Sequence, residues 1–187
     1  MALLTGVLAG MLVVACFVLA RDRLASFAAQ RPKDYIDAEP AFDLRHHLSG
    51  AILCEGVIYG PLGRVASRFV GDFDVTWDGE TGVMHERFTY DSGEIHERAW
   101  HLTLHEGGRI EAEAEDVIGT GRGQQSGPSV MLRYRLRLEP EAGGHVLDAI
   151  DWMYLAPNGT IVNRSQFRKF GLKVAELVAT MRRKEAT

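Results

Sequence analysis

The chain has 187 residues and a net charge of −4, enough for one domain plus an anchor and too short for two ordinary domains. Its acidic and basic residues are interleaved with no basic stripe, which excludes nucleic acid as a natural partner. Two cysteines, Cys16 and Cys54, lie in an apolar segment and a predicted strand; they make no bridge framework, and no His/Cys group has metal-ligand spacing.

Residues 2–20 carry no charged side chain, and Arg21, Asp22 and Arg23 end the run. The stretch has the ~20 residues that an α-helix needs to cross a bilayer, and only a helix can cross alone. It predicts an uncleaved N-terminal transmembrane helix. A cleaved signal peptide fits less well, because there is no charged n-region and the apolar stretch exceeds the usual ~7–15 residues. Leu12-Val13-Val14-Ala15-Cys16 is similar to a bacterial lipobox, but the apolar Phe17-Val18-Leu19-Ala20 after it is atypical. Arg21, Arg23, Arg31 and Lys33 favour a cytoplasmic domain by the positive-inside rule. A lipobox would imply export instead.

Residues 1–31 are assigned to the anchor and a juxtamembrane helix, 32–48 to a polar linker, and 49–187 to a β-barrel domain. From Ser49 onward the hydrophobic period becomes two, and turn residues recur every ten or so positions. The strands are predicted near 50–59, 64–77, 83–90, 94–105, 109–118, 129–138, 145–155 and 160–170. About eight strands with short connections suit a single antiparallel up-and-down barrel, whose closure removes free edges. Residues 172–184 put Val174, Leu177, Val178 and Met181 on one helical face, predicting a short C-terminal helix with a ninth strand as the alternative.

Turn chemistry sets the register. Asp91-Ser92-Gly93 works as a three-residue loop with Gly93 left-handed, which pairs Met84 with Trp100 and Glu86 with Arg98. A similar loop at Glu106-Gly107-Gly108 pairs Leu104 with Ile110 and carries Arg98 opposite Asp116. Asn158-Gly159 reads as a two-residue type I′ hairpin that pairs Tyr154 with Asn163, Trp152 with Ser165 and Asp148 with Lys169. One face of the strands is then apolar, running from Ile52 and Phe69 through Trp100 to Tyr134 and Leu138. The ladders Glu111, Glu113, Glu115 and Arg133, Arg135, Arg137 form a solvated outer wall.

The run from Gly119 to Gly127 is not a phosphate loop: it lacks the Gly-Lys-Ser/Thr ending and leads toward a strand. It reads as a mobile, lid-like loop at the barrel mouth. His101 and His105 would share an outer face but lie ~13 Å apart on a strand, too far for one metal. No catalytic residue, metal or cofactor is assigned.

The interior is expected to hold a few polar groups. Glu86, Arg98 and Asp116 sit side by side on adjacent strands. Tyr90, Tyr154 and Asn163 lie toward the same end, and Asp148 and Lys169 form a second inward pair. Buried charge costs several kcal/mol per ion unless paired. A structural brace, a ligand head-group anchor and an acid–base site are the three readings of this cluster, and one register slip would turn it outward.

From Phe42 to about Arg183 the chain resembles a family of uncharacterised bacterial envelope proteins, a domain of unknown function with a lipocalin-like look. The resemblance is carried by Gly56-x-x-x-Gly60, Glu86-Arg87-Phe88-x-Tyr90, Arg98-x-Trp100, Asp116-Val117-x-Gly119, Asp151-Trp152-Met153-Tyr154-Leu155, Asn163-Arg164 and Lys169-Phe170-Gly171. It implies a membrane-associated or lipid-anchored protein facing the periplasm, and no catalytic residues to carry over. In some members the last segment looks more like a strand.

Together these readings predict a membrane-tethered barrel at the bacterial inner membrane that binds a lipid or other apolar small molecule. Its domain leans periplasmic, with a cytoplasmic position as the alternative. The ligand-binding candidates are Glu86, Tyr90, Arg98, Trp100, Asp116, Tyr134, Trp152, Tyr154, Asn163 and Lys169. A small isomerase or hydratase using an interior carboxylate, and a filled structural barrel, are the alternatives.

Overall fold

A computed structural model of the chain describes residues 2–184. Ten antiparallel strands, each paired with its neighbour in sequence, close into one barrel by pairing the first with the last. They are β1 (Gly50–Tyr59), β2 (Val65–Asp78), β3 (Thr81–Tyr90), β4 (Ile95–His105), β5 (Arg109–Glu113), β6 (Gly121–Ser126), β7 (Ser129–Arg137), β8 (Val146–Leu155), β9 (Ile161–Lys169) and β10 (Leu172–Arg183). Alternation builds the walls. In β2, Phe69, Gly71, Phe73 and Val75 point into the core while the residues between them are exposed.

The barrel has ten strands rather than about eight. The run expected to be a lid supplies β6, and the segment expected to be a helix is β10. The helical spacing in 172–184 coexists with a period of two, in which Leu177, Ala179 and Met181 face inward. Closure decides between them: β10 pairs with both β9 and β1 along most of its length. Small residues let those walls approach. A Cβ on Gly56 would lie 2.4 Å from the Phe69 ring and 2.8 Å from Ala179 Cβ.

The β3–β4 and β4–β5 registers are as expected, with Met84 opposite Trp100, Glu86 opposite Arg98 and Leu104 opposite Ile110. The β8–β9 register is not. Leu155 pairs with Ile161, Tyr154 with Val162 and Asp148 with Arg168. The Ala156 amide donates to the Thr160 carbonyl and the Gly159 amide to the Ala156 carbonyl, which makes Pro157-Asn158-Gly159 a three-residue loop with Gly159 at φ +82°. A two-residue loop would have required an amide donor from Pro157, which has none. The extra loop residue shifts the register by one and turns every β8 side chain to the opposite face.

The helix α1 (Ala2–Leu24) precedes the barrel. Its side chains are described without a break from Leu4 to Val18, and they are exposed and uncharged. That stretch rises roughly 22 Å, short of the ~30 Å of a bilayer core. Among the described residues no helix is long and apolar enough to cross a membrane. The expected transmembrane helix is therefore found only as a helix.

Residues 26–48, which include the stretch read as a linker, lie against the barrel. Ser26 caps a short turn (Phe27–Ala29), and a second turn (Pro32–Tyr35) comes next. Phe27, Ala28 and Tyr35 pack on the outer face of β8 and β7 against Ile150, Trp152, Tyr154 and Met131. The chain then crosses one end of the barrel. The short helix α2 (Leu44–His47) and its flanks close that end with Phe42, Leu44 and Leu48, all fully buried in the main core.

Candidate functional site

The two ends of the barrel differ. At the closed end, the Trp77 indole N–H donates to the Leu48 carbonyl at 2.9 Å, and the Phe42 amide donates to the Gly127 carbonyl at 2.8 Å. The opposite end opens into a cavity of about 480 Å³ walled by Ile58, Phe69, Phe88, Leu136, Phe167 and Leu177. Deeper in the barrel lies a smaller cavity of about 130 Å³, where Trp100 and Tyr134 meet edge to face at 5.1 Å. Arg98 lines both cavities. It therefore sits at the floor of the outer one.

Two hairpins place this arginine. The Asp91-Ser92-Gly93 loop puts Glu86 opposite it on β3, and the chain after β5 brings up Asp116, whose carbonyl accepts from the Arg137 amide at 2.8 Å. Arg98 Nη1 reaches Asp116 Oδ2 at 2.8 Å, and Nε lies 3.4 Å from Glu86 Oε2. The guanidinium carbon stands 4.4 Å over the Trp100 ring, a cation–π stack. Arg98 Nε and Nη2 and Asp116 Oδ1 are buried without a hydrogen-bond partner among the described residues. Native interiors rarely leave such groups unpaired.

Burial pushes the Glu86 carboxyl up to about 7; Asp151 and Asp116 add to the rise, and Arg98 opposes it. This carboxylate is thus poised between charged and neutral near physiological pH. Burial also raises the Tyr134 and Tyr90 hydroxyls and the Cys54 thiol, so all three stay protonated.

A third interior carboxylate, Asp151, was not foreseen. It accepts hydrogen bonds from Ser165 Oγ at 2.8 Å and from the Asn163 amide nitrogen, which also donates to the Trp152 carbonyl at 3.2 Å. Burial raises its pKa, and the Ser165 and Asn163 bonds and the Arg98 charge oppose that rise. The sequence signal for Asp151 was Pro157, which excludes the two-residue loop that would have pointed this side chain outward.

Of the ten candidates, Glu86, Arg98, Trp100, Asp116, Tyr134 and Asn163 share the interior, and Tyr90 lines its open end. Trp152 and Tyr154 face outward beneath the N-terminal segment, because the register is shifted. Tyr35 meets Trp152 edge-on at 5.5 Å, and the Tyr154 hydroxyl donates to Gln30 Oε1 at 2.7 Å. Lys169 sits at the rim, with Nζ 2.9 Å from His145 Nδ1. Its expected inward partner Asp148 is instead on the outer wall, 3.9 Å from Arg135. The expected lid is a wall strand, and Gly123 in it lies so close to β7 that a Cβ would sit 2.4 Å from the Met131 carbonyl oxygen.

The chain belongs to a family described as a protein of unknown function, DUF3833, whose model matches residues 22–183. No curated protein matches it. Three solved structures show a similar fold. An S-type phycobiliprotein lyase, CPES from Guillardia theta, is 11% identical with a TM-score of 0.55, over 75% of this chain and 90% of that one. Rv2717c from M. tuberculosis is 15% identical with a TM-score of 0.56, over 80% and 100%. A DUF3598 protein of unknown function from Nostoc punctiforme PCC 73102 is 11% identical with a TM-score of 0.54, over 78% and 51%, so the match spans about half of that protein. At these identities the likeness is one of fold.

Proposed function

We propose that this protein is a membrane-tethered binding module whose barrel holds a lipid or other apolar small molecule, with the ligand's polar head at Arg98. The observation that carries the reading is the open cavity of about 480 Å³, whose walls are mainly aliphatic and aromatic and whose floor holds Arg98 with Nη2 lacking a hydrogen-bond partner. Binding sites of this kind combine an apolar cleft with a few convergent polar groups. A planar guanidinium whose Nη2 has no partner suits a carboxylate, phosphate or carbonyl oxygen. A filled structural barrel fits less well, because the space is not filled. The fold likeness to a phycobiliprotein lyase supports a role in handling a small molecule.

The tether rests on α1. Over its full 23 residues the helix is roughly 34 Å long, and residues 2–20 bear no charge. Leu4, Leu12, Val13 and Val14 are each more than 60% exposed, and at about 100° per residue they point to different sides of the helix. A helix apolar all round needs an apolar surrounding. The location proposed is the bacterial inner membrane, with the barrel on the periplasmic side; protease digestion of the barrel in intact spheroplasts is the expected result, and protection places it in the cytoplasm.

Native mass spectrometry of protein extracted from membranes should show a co-purifying small molecule. Ala175→Trp, which fills the open cavity, should abolish its retention and the uptake of a fluorescent fatty acid, while thermal unfolding stays unchanged. Arg98→Lys keeps the charge but loses the planar fork, and should weaken uptake without abolishing it. A bare apo mass in repeated preparations, together with no probe uptake by the native protein, overturns the reading. The Glu86 carboxyl near 7 favours acid–base chemistry as the second reading. In that case Glu86→Gln keeps binding and loses turnover.

A further inference from the structure

Two hairpin tips stand next to one another on the rim of the open end, because β1 pairs with β10. One is the β1–β2 connection with Leu62 and Arg64. The other is the β9–β10 turn, Lys169-Phe170-Gly171-Leu172. Leu62 is 83% exposed, Phe170 92% and Leu172 73%. Scattered apolar residues on a surface are ordinary, but three at adjacent loop tips form a patch.

The backbone of the second tip marks it further. Lys169 pairs with Leu172, and the two residues between them have φ of +53° (Phe170) and +79° (Gly171). Turns with two positive φ values select Asn, Asp or Gly. Among the described residues Phe170 is the one non-glycine with positive φ. A bulky residue there is strained, and strain held at an exposed position points to a use for the side chain. The ring gains no burial in return; the Lys169 ammonium lies 5.6 Å from its centre.

The charge on the tips is one-sided. Residues 60–65 and 168–173 contain Arg64, Arg168, Lys169 and Lys173 and no acidic residue. Arg168 bonds the Gly171 carbonyl, and Lys173 reaches Glu176 at 2.5 Å, while Arg64 is exposed.

We propose that this rim docks on an anionic lipid bilayer, with Leu62, Phe170 and Leu172 entering the interface and the basic side chains meeting headgroup phosphates. The combination of exposed aromatic and aliphatic tips with flanking cations is what an interfacial site requires. The inference rests on the membrane-tether reading and adds an orientation to it. The barrel opens toward the bilayer, so an apolar ligand passes between membrane and cavity without crossing water.

The full chain carrying Phe170→Trp, or Asn158→Trp at the closed end as control, is reconstituted into phosphatidylcholine vesicles containing brominated acyl chains, with and without phosphatidylglycerol. The added emission of the Phe170→Trp protein should be quenched in anionic vesicles and less so in neutral ones, and that of the Asn158→Trp protein should not. Raising the salt from roughly 0.1 to 1 M, which shortens screening from ~10 to ~3 Å, should reduce the quenching, as should Lys169→Glu. If the protein floats with the vesicles but the Phe170→Trp protein escapes quenching, the rim proposal falls and the tether stands. If it does not float even with anionic vesicles, both fall. A concentration-dependent blue shift of the Phe170→Trp emission without bromine quenching assigns the patch to a second copy of the chain and also overturns the proposal.

Discussion

At the scale of single residues, the central group of the cavity was legible because two turns were. Gly93 and the Gly107-Gly108 pair are glycines where loop geometry needs a left-handed residue, and both lie at positive φ. Once those loops are fixed, Glu86, Arg98 and Asp116 must converge. Asp151 was illegible for a related reason. β8 is buried on both faces, inward by the core and outward by the N-terminal segment, so its pattern carries no period of two to reveal a one-residue error. The environment of Glu86 has a consequence for stability. Its folded pKa is raised from 4.5 to about 7. A carboxyl of this kind binds its proton more tightly in the native state, so its favourable contribution is full below about pH 4.5 and is lost as pH rises through about 7. The shift corresponds to about 3 kcal/mol by pH 8. Glu86→Gln should therefore resemble the native protein near pH 4.5 and become the more stable of the two at pH 8. Urea unfolding of both proteins across that range tests it, with the titrating groups remote from Glu86 cancelling in the difference. A pH-independent difference would mean that Glu86 titrates normally.

At the scale of elements, the misread segments share a physical cause. β6 contains Gly121 and Gly123, whose missing side chains admit Tyr134, Leu132 and the β7 backbone, and a strand made of glycines shows no alternation. β10 has apolar residues that satisfy helical and extended spacing alike, and only its non-local partners β1 and β9 choose between them. Residues 32–48 looked like a linker, and those before them like a juxtamembrane helix, because the anchors of 26–48 are few and widely spaced. Phe27 and Tyr35 dock on the outer face of β8, and Phe42, Leu44 and Leu48 in the closed end of the barrel. Phe27 offers the most direct test. Its ring packs over Ile150 and Trp152, and the Arg164 guanidinium carbon stands 4.6 Å from its centre. Phe27→Ala should cost about 2 kcal/mol, the value of one large apolar side chain returned to water. It should also red-shift the Trp152 emission, because the indole loses its cover, while Trp77 and Trp100 inside the barrel keep theirs. Unchanged emission with unchanged stability would show that the segment is not held by this contact.

At the scale of the whole molecule, the chain divides into parts with different solvents. The barrel has no free edge, its closed end is sealed by the chain's own residues 42–48, and its buried core begins at Phe27. The described side chains of α1 contribute nothing to that core: they are exposed throughout. Folding of the barrel should thus be independent of α1 and dependent on residues 26–48. Removing residues 1–24 should leave a folded β protein that stays in the supernatant after a high-salt wash and unfolds at the native temperature. Removing residues 1–31 goes further. It deletes Phe27, whose ring covers Trp152, and Gln30, whose carbonyl oxygen accepts from Tyr154, and so uncovers the outer face of β8. That protein should still fold, because the closing residues 42–48 remain, but its unfolding midpoint should fall by several degrees, as a loss of about 2 kcal/mol does in a domain of this size. Circular dichroism melts of the two truncations, set beside sedimentation from membrane preparations, separate the roles. A 25–187 protein that pellets with membranes after the wash would mean that the barrel itself holds the bilayer more strongly than the tips at Leu62 and Phe170 alone require, and equal midpoints for the two truncations would mean that residues 25–31 are a tether and no part of the fold.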